Sequence, residues 1–407
     1  MNFDVIIIGA GPAGCSAALH LAAGGAKVAV LEKSIVPGQK ICGDALSGTV
    51  MNALKRFPGS AYDDFLKIPG KVPSWGIRFY SPAGEHLDVP FVQHKKPDTP
   101  VPGFLCSRKD FDLFLHQQLN KFSNIHFIPG IEVKEVTTET GKVVVRSADG
   151  EWTARAVIGA DGVNSKVAGC LSGDNKDKIP LCLGARTYFT GVTGLHPGNF
   201  IELFFFRDFL PGYLWIFPMA GGMANVGVGM LSTDVKKRKI HLSGRLHDLI
   251  SDHPLLRERF SEAKQVGKTG AHTLPMGPSS IRISGNRFLL AGDAAALVDP
   301  FTGEGIGNAM ISGEIAAGIL LKALVKNDFS AESLSEYGEM IRKKLFDELN
   351  TSKKLQQLAR YPWLFNFVVK QVNKKPSRQQ LFTRMYTDLE IRKKLKNPGF
   401  YLNLLLR

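Results

Sequence analysis

The stretch that decides the fold is Asp4-Val-Ile-Ile-Ile-Gly-Ala-Gly-Pro-Ala-Gly14. Its run of β-branched residues predicts a strand buried on both faces of a sheet. A helix is expected over residues 12–23 and a second buried strand over residues 27–31, with Glu32 at the end of that strand. In a G-x-G-x-x-G turn of this kind, N–H groups at a helix N-terminus bind a pyrophosphate and the acid binds a ribose. The chain therefore opens on a predicted nucleotide-binding βαβ unit.

Length and composition narrow the class of protein. With 407 residues the chain is long for a single core, so two or three domains are expected. No apolar run reaches the ~18 residues of a membrane-spanning helix, and the N-terminus lacks the basic segment and cleavage site of a signal peptide. Five scattered cysteines without a C-x-x-C pair favour a reduced, cytoplasmic protein, and ten histidines without metal-ligand spacing predict no metal site.

Positive charge is concentrated towards the C-terminus. Residues 336–407 contain 16 Lys and Arg against 6 Asp and Glu, so 10 of the 14 net positive charges lie there. Residues 362–369 combine Trp and Phe with neighbouring lysines, which is typical of a helix at a membrane interface. An amphipathic helix packed on the body of the protein is the alternative. No nucleic-acid partner is expected. Two apolar helical stripes are predicted in this region: Tyr337, Ile341, Leu345 and Leu349, and Leu381, Met385 and Leu389.

The middle of the chain alternates between two predicted kinds of domain. Short strands with turns are expected before residue 102 and again over residues 180–284, whereas Ser107 is a predicted N-cap that begins a helix. One buried strand ends in Gly159-Ala-Asp-Gly162, and another ends in Ala291-Gly-Asp293. A long helix then runs to about residue 325.

The opening fingerprint and these two segments occur in the order seen in FAD enzymes of the para-hydroxybenzoate hydroxylase type, which the chain resembles over most of its length. The resemblance implies FAD as the cofactor, with Asp293 on the ribityl chain and Arg108 beside the flavin. Residues 303–307 would present helix N–H groups to a reduced, anionic flavin. Taken singly, Asp293 could equally cap a helix and Asp161 could be a turn residue. The predicted cofactor-binding residues are Gly9, Gly11, Pro12, Ala13, Gly14, Glu32, Lys33, Cys42, Gly43, Arg108, Asp161, Gly162, Asp293, Gly303, Gly305 and Ile306.

The same resemblance implies an architecture. We expect an α/β fold in which a Rossmann-type FAD-binding domain is interleaved with a discontinuous antiparallel-sheet substrate domain and followed by a C-terminal helical region. The expected boundaries are 1–71, 106–169 and 286–330 for the FAD-binding domain, 72–105 and 170–285 for the substrate domain, and 331–407 for the helical region.

A second resemblance narrows the activity. Gly212-Tyr-Leu-Trp-Ile-Phe-Pro218, followed by Asn225-Val-Gly-Val-Gly229, resembles the Tyr-x-Trp-x-Phe-Pro signature of the geranylgeranyl reductase family. Lys40-Ile-Cys-Gly43 resembles that family's cysteine-bearing loop beside the flavin. The resemblance implies an FAD-dependent oxidoreductase that reduces C=C bonds of a polyprenyl lipid by hydride transfer from reduced flavin.

The residues behind this resemblance have alternative interpretations. Tyr213, Trp215 and Phe217 alternate along a strand and so share one sheet face, either as substrate-pocket residues or as core. Cys42 is the predicted catalytic residue, which positions substrate or responds to redox state, although a small apolar filler is the alternative. For the proton that completes the reduction, Asp44 and Glu304 are candidates.

Two other functions stay open on this scaffold: an aromatic monooxygenase or halogenase, and a non-catalytic flavoprotein that carries electrons. Halogenases have a related Trp-x-Trp-x-Ile-Pro motif, and Tyr213 and Phe217 depart from it. Because no second G-x-G-x-x-G follows Glu32, NAD(P)H would dock transiently or a ferredoxin-like carrier would supply electrons. The expected substrate is an apolar isoprenoid, and the expected location is cytoplasmic with peripheral membrane contact through the C-terminal helices.

Overall fold

The computed structural model describes residues 2–37, 40–173, 179–375 and 377–380. Its helices are α1 (Pro12–Ala23), α2 (Gly48–Arg56), α3 (Ala61–Lys67), α4 (Arg108–Leu119), α5 (Ser232–Arg238), α6 (Leu242–Asp252), α7 (Ile306–Lys326), α8 (Ala331–Ile341), α9 (Asp347–Leu358) and α10 (Pro362–Asn373). Its strands are β1 (Asn2–Ile8), β2 (Val28–Glu32), β3 (Ala45–Leu46), β4 (Val72–Ser74), β5 (Gly76–Tyr80), β6 (His86–Pro90), β7 (Gly103–Leu105), β8 (Ile125–Pro129), β9 (Val133–Glu139), β10 (Lys142–Ser147), β11 (Gly150–Gly159), β12 (Leu181–Thr190), β13 (Ile201–Phe204), β14 (Tyr213–Met219), β15 (Met223–Leu231), β16 (Lys264–Pro275), β17 (Ser284–Gly285) and β18 (Phe288–Leu290).

The opening βαβ unit is confirmed and lies at the centre of an eight-stranded sheet. Strands β8, β2, β1, β11 and β18 run parallel in that order, while β17, β10 and β9 add antiparallel pairs. Val5, Ile6 and Ile7 are fully buried, as the β-branched run predicts. Because parallel strands end at one edge, the turns after β1, β11 and β18 meet there, where open α/β sheets bind ligands.

A seven-stranded sheet forms the second layer, in the order β16-β12-β15-β14-β13-β5-β6. Every pair is antiparallel except β13 with β5, so the predicted antiparallel substrate sheet is confirmed with one parallel pair. On one face, alternate residues such as Leu214, Ile216 and Val226 form a core with α6. The aromatic block just before β14 is also buried, since Phe204, Phe205, Phe206 and Phe209 are at most 4% exposed.

A small sheet of β3, β7 and β4 connects these two layers. The predicted boundaries assign β3 to the FAD-binding domain and β4 and β7 to the substrate domain, whereas the three strands pair with one another. Ser107 follows β7 directly and caps α4, because its hydroxyl accepts the N–H of Asp110. The predicted N-cap is therefore confirmed.

Helix α7 packs closely against α1 beneath the eight-stranded sheet. It is the one helix within the described ranges that is long and apolar enough to cross a membrane. Such a helix was not predicted from the sequence, because Ser312, Glu314 and Lys322 interrupt the run of apolar residues. More than half of it is buried inside the protein, as expected of a core helix. A Cβ added to Gly313 would lie 2.2 Å from the backbone oxygen of Ala13, so glycine is required at this contact.

The C-terminal helices pack on both layers. Tyr337, Ile341, Leu345 and Leu349 are at most 4% exposed and join the FAD-side core, which confirms the first predicted stripe. Val369 and Val372 of α10 pack against the seven-stranded sheet. The second predicted stripe, from Leu381 to Leu389, lies outside the described residues.

Substituting Gly313→Ala should destabilise the protein by about 1–3 kcal/mol, because the new methyl group overlaps the α1 backbone. Gly318→Ala in the same helix is the matched control, since a Cβ there meets no atom within 4 Å. That change should stabilise the protein by roughly 0.5–1 kcal/mol through helix propensity. Chemical denaturation of both variants tests the contact. Equal effects of the two substitutions would contradict it.

Candidate active site

A cleft of about 670 Å³ lies between the carboxyl edge of the parallel strands and the face of the seven-stranded sheet opposite α6. Its lining residues are Pro12, Lys40, Ile41, Cys42, Gly43, Arg108, Gly184, Arg186, Trp215, His272, Leu274, Asp293, Val298, Gly303, Gly305, Ile306 and Ala309. Segments more than 290 residues apart in the chain thus converge, and nine of the predicted site residues share this one cleft.

The glycines of the opening turn have two different roles, close packing of the backbone and access for a ligand. Gly9 has φ +97°, and a Cβ on it would lie 2.4 Å from the oxygen of Ala160. A Cβ on Gly14 would lie 1.9 Å from the oxygen of Gly9, whereas one on Gly11 meets no protein atom within 4 Å. Gly9 and Gly14 therefore allow the strand, turn and helix to pack, and Gly11 leaves an open approach to the N-terminus of α1. This shape fits a pyrophosphate.

Glu32 connects the glycine turn to the end of β2. Its carboxylate accepts the N–H of Ala10 at 2.8 Å and the N–H of Ser34 at 2.9 Å. Each carboxylate oxygen has further lone pairs, so Glu32 keeps capacity for a ribose hydroxyl. The neighbouring Lys33 is exposed and does not line the cleft.

Asp161 and Gly162 also lie outside the cleft lining. The Asp161 carboxylate accepts the N–H of Lys166 at 2.6 Å, and Gly162 has φ +78°. This is the geometry of the turn residue that the sequence left as an alternative. The adjacent Ala160 contacts Gly9, so the segment supports the glycine turn, and a direct contact of Asp161 with the cofactor stays a prediction.

Asp293 reaches the cleft from the turn after β18. Its carboxylate pairs with the ammonium of Lys40 at 2.8 Å. Burial alone would raise the pKa of Asp293, but Lys40 outweighs burial and the pKa is lowered, so this carboxylate is ionised at neutral pH. Gly292, with φ +63°, brings the turn against Ala13 of α1. Asp293 thus stands between the pyrophosphate-type turn and the cysteine loop, where a ribityl chain would bind.

The N-terminus of α7 forms another side of the cleft. Gly303 has φ +73°, and Gly305 is the N-cap before Ile306. The first N–H groups of a helix lack intrahelical acceptors and favour negative charge. The carboxylate of Glu304 accepts a hydrogen bond from the hydroxyl of Ser47, and its role as a proton donor stays a prediction. Together with the open side of Gly11 and the ionised Asp293, this arrangement fits FAD.

Asp44 is a buried carboxylate at the junction of the two layers. It is fully buried with φ +65°, and it accepts hydrogen bonds from the hydroxyl of Tyr188 at 2.6 Å, the amide of Asn225 at 2.8 Å and the N–H of Arg108 at 3.2 Å. Burial raises the pKa of Asp44, and these bonds offset part of the increase. The geometry gives Asp44 a structural role, and its role as a proton donor stays a prediction.

Asn225 links three parts of the site. Its amide nitrogen donates to the Cys42 carbonyl and to Asp44, both at 2.8 Å, and its oxygen accepts the indole N–H of Trp215 at 2.9 Å. One side chain on β15 therefore fixes the cysteine loop and the aromatic strand together. Its place in the Asn-x-Gly-x-Gly segment was the signal, because it shares a sheet face with Gly227 and Gly229.

The Cys42 thiol lines the cleft and is mostly shielded from solvent. Burial raises the pKa of Cys42, and Arg108 only partly counteracts this. A thiolate is therefore disfavoured at neutral pH, so positioning of substrate fits the environment better than redox response. The five cysteines are all free thiols.

The aromatic signature and the glycines of β15 form one surface. The strand register aligns Trp215, Gly227, Arg186 and Gly270 in one row across four strands, and Tyr213, Gly229, Gly184 and His272 in the next. The Trp215 ring lies over Gly227, where a Cβ would come within 2.3 Å of it. The predicted shared face is therefore confirmed, and the absence of side chains at Gly227, Gly229 and Gly184 makes room for the indole against the sheet.

A second cavity of about 540 Å³ continues from the cleft. The two share Gly184, Trp215, Leu274 and Gly303, and the second is lined by apolar groups that include Cys182, Phe205, Met230, Met276 and Phe301. Tyr213 lines it and donates its hydroxyl to the carbonyl of Thr302 at 2.9 Å. Phe217 lines neither cavity and packs in the core against Gly43, which corresponds to the core alternative.

Sequence reasoning missed Arg186, Tyr188 and His272, although all three face this site. Arg186 and His272 line the cleft, and the Tyr188 ring lies beneath the Arg186 guanidinium at 4.3 Å. The available signal was alternation: Gly184, Arg186 and Tyr188 share one face of an otherwise apolar strand. A buried charge in such a strand indicates a site or a partner.

Comparisons with known proteins agree with this geometry. Residues 3–181 match the family model of pyridine nucleotide-disulphide oxidoreductases, and residues 184–268 match that of the geranylgeranyl reductase catalytic domain. Digeranylgeranylglycerophospholipid reductase 1 of Methanothermobacter thermautotrophicus is 30% identical, over 87% of this chain and 86% of that protein.

Solved structures share the fold. A geranylgeranyl bacteriochlorophyll reductase-like protein from Thermoplasma acidophilum aligns with a TM-score of 0.79 and 23% identity, over 97% of this chain and 99% of that one. A flavin-dependent brominase aligns with a TM-score of 0.74 and 18% identity, over 98% and 100% of the two chains.

The fold, the cleft and the matching families define an FAD-dependent oxidoreductase. Within that class, the chain belongs to the geranylgeranyl reductase family. Both statements confirm the resemblance drawn from the glycine fingerprint, the cysteine loop and the Tyr-x-Trp-x-Phe-Pro segment.

Replacing Asn225 should destabilise the protein in a way that depends on the replacement. Asn225→Leu leaves Asp44, the Cys42 carbonyl and the Trp215 N–H without this partner, which should cost roughly 2–4 kcal/mol. Asn225→Asp places a second carboxylate against Asp44, and repulsion between the two raises one pKa of the pair above the unfolded value of about 3.9. The folded state then binds more protons than the unfolded state, so its stability falls as pH rises.

Thermal unfolding between pH 5 and pH 8 distinguishes the two variants. Asn225→Asp should recover stability relative to wild type at pH 5, whereas Asn225→Leu should not. Parallel pH profiles of the two variants would contradict the direct contact between Asn225 and an ionised Asp44.

Proposed function

We propose that this protein reduces C=C bonds of a polyprenyl lipid. The observation that carries the proposal is the apolar cavity that opens from the cofactor cleft at Trp215. An isoprenoid chain offers no hydrogen-bonding groups, so a cavity lined by aromatic, methionine and aliphatic groups suits it. The family membership supports the same substrate class, since the relative from Methanothermobacter thermautotrophicus is called a digeranylgeranylglycerophospholipid reductase.

The residues of the chain have distinct tasks in this proposal. FAD supplies hydride chemistry when bound. Gly11, Glu32 and Asp293 would hold the nucleotide and ribityl parts, and the N-terminus of α7 would favour the negative charge of the reduced cofactor. Trp215, fixed by Asn225, orients an alkene where the cleft meets the apolar cavity, and the packed Cys42 loop excludes water from it.

Anaerobic reaction of the reduced holoenzyme tests the proposal. Mixing it with geranylgeranyl phospholipid should return the flavin absorbance of the oxidised state and give a saturated lipid by mass spectrometry. Asn225→Leu, which releases Trp215 and the cysteine loop, should slow this reaction at least tenfold more than the exposed control Lys268→Gln. A requirement for O2 and a small aromatic substrate would instead indicate a monooxygenase. If neither substrate reoxidises the reduced flavin, the result would indicate an electron carrier.

The electron donor is part of the proposal. The described fold contains one glycine fingerprint, which the FAD site uses, so the chain offers no separate nicotinamide domain within these residues. We propose that NAD(P)H or a ferredoxin-like carrier docks transiently at the cleft. Stopped-flow reduction of the holoenzyme by each donor separates them.

We further propose that the protein works in the cytoplasm at a membrane surface, through α10. Trp363 is 67% exposed and Phe367 is 39% exposed, and Lys370 and Lys374 follow them on the same side of the helix. The opposite side packs inward, with Phe365 4.6 Å from Phe205 between ring centroids. Aromatic and basic groups on one helix face suit anionic lipid.

The position of this face supports lipid entry from a membrane. Gln356 and Ala359, at the end of α9, line the apolar cavity. The exposed Tyr361 follows two residues later and leads into α10. A lipid leaving a bilayer at α10 would therefore lie close to the part of the cavity wall that Gln356 and Ala359 form.

Vesicle flotation tests the membrane face. The double variant Trp363→Ala/Phe367→Ala should float with anionic phospholipid vesicles at least fivefold less than wild type. The matched control is Leu66→Ala/Leu113→Ala, which removes two apolar side chains that are each 42% exposed elsewhere on the surface. Equal flotation of both double variants would rule out α10 as the contact.

A further inference from the structure

Arg186 is a buried cation that differs from the other cations of the cleft. It is 6% exposed, and its Nε atom is buried without an acceptor. Within the described part of the chain, its guanidinium has no ion-pair or hydrogen-bond partner, and it lies over the face of the Tyr188 ring. By contrast, Lys40 pairs with Asp293 and Arg108 pairs with Asp112, each at 2.8 Å.

An unpaired buried guanidinium is costly, because the desolvation of its charge is not offset by an anion. The Asp44 carboxylate lies within the field of Arg186, but it directs its oxygens to Tyr188, Asn225 and the backbone N–H of Arg108. The N–H groups of Arg186 are therefore free to bind an anion that enters the cleft. A guanidinium has a planar set of donors that matches phosphate.

His272 lies beside Arg186 on the neighbouring strand. The register of β12 and β16 places His272 opposite Gly184 and Arg186 opposite Gly270, so the two side chains are diagonal neighbours on one sheet face. Each faces a glycine across the strand pair: Ile41 covers Gly270, whereas Gly184 lines both the cleft and the apolar cavity. The Nε2 atom of His272 is also buried without a partner among the described residues.

We infer that Arg186 and His272 form an anion subsite that binds the phosphate of a prenyl substrate. This inference rests on the proposed function and specifies the head of its substrate. The cleft and the apolar cavity share Gly184, Trp215 and Leu274, so a phosphate at Arg186 directs the attached chain past the Trp215 ring into that cavity. The chemistry recognised is a phosphate ester on an isoprenoid chain, as opposed to a neutral prenyl head.

Binding to the oxidised holoenzyme tests the subsite without turnover. Geranylgeranyl phosphate, geranylgeraniol and inorganic phosphate are titrated separately, with flavin absorbance and tryptophan fluorescence as readouts. Wild type should bind the prenyl phosphate more tightly than the alcohol by roughly 10- to 100-fold, the range expected of a charge-assisted hydrogen bond. Arg186→Gln should remove most of this ratio, and Arg186→Lys should keep part of it.

Two controls separate a local effect from a general one. Lys268→Gln removes an exposed positive charge from the same strand as His272 and should leave the ratio unchanged. Inorganic phosphate should compete weakly with the prenyl phosphate in wild type. If inorganic phosphate binds as tightly as geranylgeranyl phosphate, the subsite is one for free phosphate instead.

Three results for Arg186→Gln would overturn the inference. They are an equal loss of affinity for the prenyl phosphate and the alcohol, an unchanged ratio of the two affinities, or loss of FAD from the variant. Thermal unfolding and flavin content identify a variant that fails to fold, in which case Arg186→Lys decides. A preserved binding ratio in an enzyme that reduces no prenyl compound would refute the proposed reaction and leave the subsite standing.

Discussion

The site depends on the hydrogen bonds that one buried carboxylate, that of Asp44, accepts from several elements. Asp44 lies on the cysteine loop, whereas Tyr188 and Asn225 belong to the seven-stranded sheet and Arg108 begins the helix next to the FAD fold. A buried carboxylate needs all these donors, because each missing partner leaves a desolvated charge. The requirement therefore holds the loop, the sheet and the helix in one arrangement.

That arrangement determines what a cofactor and a substrate meet. With the cysteine loop held on the sheet, Cys42 and Gly43 face the N-terminus of α7 across the cleft. The side-chain oxygen of Asn225 accepts the indole N–H of Trp215, so the indole is held over Gly227. Polar groups thus hold the frame, and the surfaces that remain open to an isoprenoid chain are apolar.

The elements that followed from local pattern were predictable. The β-branched run before Gly9 gives a strand, the glycine turn gives a helix start, and the hydroxyl of Ser107 caps a helix, because each depends on a few neighbouring residues. The alternation of Tyr213, Trp215 and Phe217 likewise gave their shared sheet face. Their separation into cavity-lining and core residues did not follow, since it depends on which element covers each ring.

The contacts between layers were not predictable from one sequence. Nothing local to Asn225 indicates that it bonds to Cys42, 183 residues away, or that Arg186 lacks a carboxylate partner. Asp161 shows the opposite case, because its place in a cofactor-type segment suggested a ligand while its carboxylate caps a turn. The role of helix α7 was also not predictable, because its apolar residues pack on α1 and only the folded arrangement reveals that contact.

The most direct test of the central claim is a crystal structure of the holoenzyme with a bound prenyl lipid. The account predicts an isoalloxazine ring between the N-terminus of α7 and the Cys42 loop, with the chain passing Trp215 into the cavity lined by Met230 and Phe301. A flavin ring bound away from Asp293 and Cys42, or a lipid chain on the other face of the seven-stranded sheet, would contradict it.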